Sequence, residues 1–215
     1  MRFGFRAAGR VAAVVSVLLY RLALPARPDF PADTPLLIVV NHRSLLDSVV
    51  GFHSFYRWGI EPRFLVQERY FGHPVLKRLL DATGCLPAGS KGSSLTLMRQ
   101  IRTLYGEGHP VLIMPEGTVV RPPERPDGMG PAQRGVGTIV KMFRPAVLAV
   151  GMVGTDDVWP PDRLRPTLRL GRRRPLISIR VGFVEFPPST DPDELRQVVE
   201  TTMRALIDEA TITNG

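Results

Sequence analysis

The chain has 215 residues, 44% of them hydrophobic and 22% charged, so it is too apolar for disorder and long enough for one domain with a substantial core. Its single cysteine, Cys85, excludes an intramolecular disulfide framework and any cysteine-clustered zinc or iron–sulfur site, and favours a reducing compartment on the cytosolic side. The net charge is +8, and of the 28 basic residues only Lys77, Lys91 and Lys141 are lysines; such a guanidinium-rich surface points to partners carrying phosphate, whether nucleic acid, phospholipid or a phosphorylated small molecule.

Residues 3–24 read as one helix. Arg2, Arg6 and Arg10 fall four apart on one face, Val11 to Tyr20 run without a charge, and Arg21 closes the run. Ten uncharged residues rise only ~15 Å, about half of a ~30 Å hydrocarbon core. The expectation is therefore an interfacial helix entering one leaflet obliquely, its arginines on anionic headgroups, in a membrane-associating segment 1–28 ahead of a globular domain 29–215. A secretory signal ending near Ala23–Ala26 and a plain buried helix are the alternatives.

From residue 35 onwards the chain alternates. Leu36–Val40 is a short apolar run with the look of a buried strand, 44–56 is helical, and Arg63–Val66 is a second strand. Leu97, Met98, Ile101, Leu104 and Tyr105 recur at helical spacing and stop at Gly106 and Gly108. Val111–Met114 is another strand, the segment 121–131 with its four prolines is a loop, and 146–152 and 176–184 are further strands. Asp191, Pro192 and Glu194 open a last helix with Leu195, Val198, Val199, Met203, Leu206 and Ile207 on its apolar face. Strands separated by helices predict an α/β class fold, a single-domain α/β sandwich with a mixed, largely parallel sheet.

Spacing disposes of several sites. Gly84 to Lys91 misses the order of a phosphate loop, no serine sits in a nucleophile elbow, and four histidines with no partner three or four residues away predict no metal site and no bound cofactor. Two segments survive. Asn41-His42-Arg43-Ser44-Leu45-Leu46-Asp47 begins where a buried strand ends, which is where α/β sheets keep their sites. Five residues apart on an ideal helix the two side chains would diverge by about 140°, so His42 and Asp47 meet only if His42 lies in the turn before the helix. Asp47 would then fix one ring nitrogen of His42 and leave the other as a general base; the same residues also read as a plain capping box of Ser44 and Asp47. Pro115-Glu116-Gly117-Thr118 likewise follows an apolar strand and joins a carboxylate, a backbone-exposing glycine and a hydroxyl, or else is a polar turn.

Together these segments resemble the glycerophospholipid acyltransferase family, whose first motif is Asn-His, four residues and Asp, and whose third is Phe-Pro-Glu-Gly-Thr-Arg. The likeness extends over roughly 36–205, through Arg134-Gly135 and Pro145-Ala146-Val147. The chain departs from it at Met114, at Val119 where the family has Arg, and in the second motif, 84–91, where Lys91 stands one place late. The resemblance implies an acyltransferase domain at 29–215 that moves a fatty acyl group from acyl-CoA or acyl carrier protein to a lysophospholipid acceptor, most typically 1-acylglycerol 3-phosphate. His42 and Asp47 would be catalytic. Glu116, Gly117, Thr118, Arg121, Lys91 and Arg134 would bind substrate, and the enzyme would work at a membrane surface, on the cytoplasmic face of the plasma membrane. Seven arginines between Arg163 and Arg180 also suit a nucleic-acid binder, but no aromatics interleave them for base stacking, so no nucleic-acid partner is expected.

Overall fold

Successive side chains of a strand point to opposite faces, and here that alternation sorts the apolar runs into two cores. In the computed structural model, which describes residues 1–88, 94–125, 127–163, 165–167, 169 and 174–214, Leu37 and Val39 of β2 (Leu36–Val40) enter one core while Leu36, Ile38 and Val40 enter the other. Strand β6 (Ala146–Val153) divides the same way: Val147 and Ala149 face the first core, Leu148, Val150 and Met152 the second. Strands buried on both faces must be covered on both. Helices α4 (Ser94–Gly106), α5 (Arg134–Phe143) and α7 (Pro192–Asn214) line the first core; α1 (Phe3–Leu19), α2 (Leu46–Trp58) and α3 (Pro74–Thr83) flank the second.

The sheet also contains β1 (Arg21–Ala23), β3 (Arg63–Gln67), β4 (Leu86–Ala88), β5 (Val111–Ile113) and β7 (Leu176–Phe183), in the order β1-β7-β6-β2-β5-β3-β4. Every neighbouring pair is parallel except β6 with β7, in keeping with the mixed, largely parallel sandwich expected. The single turn of α6 (Thr155–Val158) follows β6. β2 and β5 are parallel neighbours, yet the chain leaves β2 for α2 on one face and leaves β5 for α5 on the other. That divergence opens a crevice at their carboxyl ends, the usual place for a site in an open α/β sheet.

The first segment differs from its expected form. The helix stops at Leu19, and Arg21–Ala23 pair in parallel with Leu176–Ser178 of β7, Arg21 N–H donating to Pro175 O at 2.8 Å. Phe5 and Tyr20 are fully buried, Phe5 standing edge-on to Phe52 of α2, and Gly4 and Gly9 let α1 close on Ala82 and Tyr56. The opposite face of α1 leaves Phe3, Val11, Val14, Val17 and Leu18 exposed. Residues 1–28 are thus built into the second core on one side and present apolar side chains on the other. Among the described residues no helix is long and apolar enough to cross a membrane.

Close approach is also required at Gly137, where α5 meets the start of α7: a Cβ there would lie 1.8 Å from Pro192 O and 2.8 Å from its carbon. Backbone cannot yield as a side-chain tip can. Gly137→Ala should therefore lower unfolding free energy by about 1–3 kcal/mol despite alanine's better helix propensity. Urea denaturation checks this, and a variant as stable as the parent would contradict that packing.

Candidate active site

The turn after β2 is held on every side. Asn41, fully buried, caps the neighbouring strand through its amide: Nδ2 donates to Met152 O at 2.9 Å and Oδ1 accepts from Met152 N–H at 2.8 Å. Ser44 Oγ accepts from Leu46 N–H at 3.1 Å, starting α2, while its hydroxyl donates to Trp159 O at 2.6 Å. Asp47 then reaches back from the first turn of α2. Its Oδ2 accepts from Arg43 N–H at 2.6 Å, Ser44 N–H at 2.8 Å and His42 Nδ1 at 2.9 Å. The two readings of this segment are therefore one geometry, in which the carboxylate that closes the helix start also grips the imidazole.

A carboxylate only accepts, so Nδ1 carries the hydrogen and Nε2 holds the free lone pair; this tautomer follows from the bonding network. Nε2 has no hydrogen-bond partner among the described residues, and the His42 side chain is 16% exposed against 0% for Asp47. A base open to the crevice is thus backed by a buried anion, the arrangement a general base needs.

Glu116 occupies a different place from the one its motif suggests. It is 4% exposed, and both oxygens serve the backbone: Oε2 accepts from His42 N–H at 2.5 Å and Oε1 from Gly130 N–H at 2.8 Å. Val120 N–H donates to His42 O at 3.1 Å, so the loop after β5 clamps the His42 residue at both ends. Gly117, with φ at +74°, makes the turn that lets Glu116 point inward. It and Thr118 are exposed beside the clamp, where they can meet a ligand; Gln67, at the end of β3, donates to Gly117 O. Arg121 is exposed. Arg134, its side chain 78% exposed, donates to Asp193 of α7 at 2.7 Å. Lys91 lies outside the described residues, as does part of the basic stretch 163–180.

Burial pushes the Glu116 carboxyl up to about 7, with the Gly130 and His42 N–H groups pulling the other way. A folded-state value above the ordinary 4.5 means that the unfolded chain loses this proton first. The associated stability is complete below about pH 4.5 and is lost as the pH rises to about 7, a change on the order of 3 kcal/mol. The stability gap between the parent and Glu116→Gln should narrow or reverse across that window and stay flat above it. Parallel urea-derived curves from pH 4.5 to 8 would contradict this assignment.

The acyltransferase family model matches residues 25–153, which carry His42, Asp47, Glu116 and Gly130. The chain belongs to the acyltransferase family. It is 26% identical over 191 residues to a 1-acyl-sn-glycerol-3-phosphate acyltransferase of Chlamydomonas reinhardtii, covering 86% of this chain and 53% of that one. A chloroplastic 1-acyl-sn-glycerol-3-phosphate acyltransferase of Brassica napus is 26% identical over 145 residues, 66% of this chain and 40% of the relative. The chain thus spans about half the length of the curated relatives it matches. The crystal structure of the 1-acyl-sn-glycerophosphate acyltransferase PlsC of Thermotoga maritima shares the fold, with a TM-score of 0.76 over 96% of this chain and 79% of that one at 16% identity.

The motifs did not single out four residues here. Arg43 stands beside His42 inside the first motif, and Gln67 at the end of a strand, while Arg125 and Asp156 come to this end of the sheet only through tertiary contacts.

Proposed function

We propose that this acyltransferase moves a fatty acyl group from a thioester, acyl-CoA or acyl carrier protein, to the free hydroxyl of 1-acyl-sn-glycerol 3-phosphate, giving phosphatidic acid. The observation that carries the reading is the His42–Asp47 pair with its open Nε2 in a crevice of the acyltransferase fold. Nε2 takes the proton of the acceptor hydroxyl as its oxygen attacks the thioester carbonyl. The tetrahedral adduct collapses, the C–S bond breaks, and the imidazolium returns its proton to the departing thiolate. Asp47 steadies the imidazolium meanwhile. A hydroxyl acceptor attacking directly needs no acyl-enzyme, so a base and its orienter are sufficient for the transfer.

The substrate class is supported by the activity for which the relatives are named and by the arginine-rich composition of the chain. Membrane-borne substrates also suit the outer surface of α1 and the neighbouring α3. Phe3, Val11, Val14 and Leu18 of α1 and Val75 and Leu79 of α3 are exposed, apolar side chains of the kind that sit in a membrane interface; the interface belonging to this proposal is the cytoplasmic face of the plasma membrane.

Val119 stands where the resemblance expects arginine, and this favours a second reading in which the acceptor is another lysolipid. The full chain supplied with acyl-CoA and a panel of lysolipids, read by thiol release and product mass, separates the two. With lysophosphatidate as acceptor, Arg121→Ala should lower kcat/KM roughly 10- to 150-fold if Arg121 holds the phosphate. Loss in Lys91→Ala alone would move that role to Lys91, and no loss in either would reject the lysophosphatidate assignment.

A further inference from the structure

Asp156 lies in α6, just past the end of β6, and takes hydrogen bonds from two arginines that belong to different segments of the chain. Arg43, the residue after His42, donates from Nε to Oδ1 at 3.1 Å and from Nη2 to Oδ2 at 3.4 Å. Arg125, from the proline-rich loop after β5, donates from Nη2 to Oδ2 at 2.6 Å. The same loop accepts Arg43 Nη1 at Gly128 O, 3.3 Å away. Arg125 is 4% exposed, and its Nε and Nη1 are buried without a partner among the described residues, so the bond to Asp156 is what balances a buried cation. Burial opposes ionisation of Asp156, but Arg43 and then Arg125 overcome it and hold the carboxyl below its ordinary range.

Both arginines lead back to the base by short paths. Arg43 N–H donates to Asp47 Oδ2, the oxygen that also grips His42 Nδ1. The loop of Arg125 and Gly128 carries Gly130, whose N–H orients Glu116, whose other oxygen accepts His42 N–H. The neighbouring bonds of Asn41 to Met152 and Ser44 to Trp159 fasten the same turn to the same β6–α6 segment.

We propose that Asp156 is a positioning residue for acyl transfer: by gripping Arg43 and Arg125 together it locks the His42 turn to the loop after β5 and so keeps the His42 ring in one tautomer against Asp47. This rests on His42 acting as the base. Reacting groups displaced by about 1 Å lose up to roughly 100-fold in rate, so releasing the grip should be read in kcat.

The test uses Asp156→Asn in the full chain, with Arg125→Met/Asp156→Asn as a companion that removes the unpaired buried cation should the single variant fold poorly. Two quantities are measured: steady-state constants for both substrates, and the His42 tautomer by long-range nitrogen–proton NMR correlation. Each variant should lose roughly 10- to 100-fold in kcat while both KM values stay within about 3-fold, and His42 should change from one tautomer to a mixture. Unchanged kcat, or a kcat loss with the His42 tautomer intact, would overturn the proposal. His42→Ala in the same assay keeps the two readings apart: an active His42→Ala rejects the base, whereas an inactive one beside an unimpaired Asp156→Asn rejects only the positioning role. The NMR result decides the proposal by itself if the chosen lipid pair gives no turnover.

Discussion

His42→Ala is expected to lower kcat at least ~100-fold, with the acceptor KM close to that of the parent. The backbone of residue 42 keeps its bonds to Glu116 and Val120 whatever the side chain, so the turn survives and the loss belongs to the missing Nε2. Steady-state kinetics on protein shown to be folded by circular dichroism checks this. Turnover within a few-fold of the parent would remove His42 from the chemistry.

Asp47→Asn should be nearly as damaging to turnover, roughly 100-fold or more, while costing little stability. Three donors converge on Asp47 Oδ2, so an asparagine satisfies them by placing its carbonyl oxygen there, and the helix start is preserved. What disappears is the negative charge that supports the imidazolium as the hydroxyl proton arrives. Asp47→Ala removes the acceptor as well and should in addition lose about 1 kcal/mol from the cap. Thermal melts and turnover per folded molecule divide the two roles. Full turnover in Asp47→Asn would reduce Asp47 to a capping residue.

Much of the site was legible because its determinants are local. A five-residue apolar run buried on both faces, followed at once by Asn-His, puts the histidine at a strand end, and the angular mismatch of residues 42 and 47 on a helix already required His42 to precede α2. The long α7 was legible too, since Leu195, Val199, Met203 and Ile207 repeat at helical spacing on one buried face.

The rest depended on distant partners. β1 has three residues and exists through pairing with β7 more than 150 residues away, so its apolar neighbours read as the tail of the preceding helix. In α3, Val75, Leu76, Leu79 and Leu80 recur at helical spacing, but only Thr83 is buried and Val75 and Leu79 face outward, so this apolar stripe does not mark a core face. α5 carries glycines that propensity counts against a helix, one of them needed for the approach of Pro192. Glu116 was found by its motif, but its inward direction depends on Gly130 and the loop that carries it. Asp156 and Arg125 look like solvated charges in sequence and meet only in the fold.

The most direct test of the account is stoichiometric. The full chain on anionic vesicles is given acyl-CoA and lysophosphatidate, and thiol released and phosphatidic acid formed are quantified together by colorimetry and mass spectrometry, with His42→Ala in parallel. The account predicts one thiol per molecule of phosphatidic acid in the parent and neither product above background in the variant. Thiol release without acylated lipid, or equal product from His42→Ala, would contradict it.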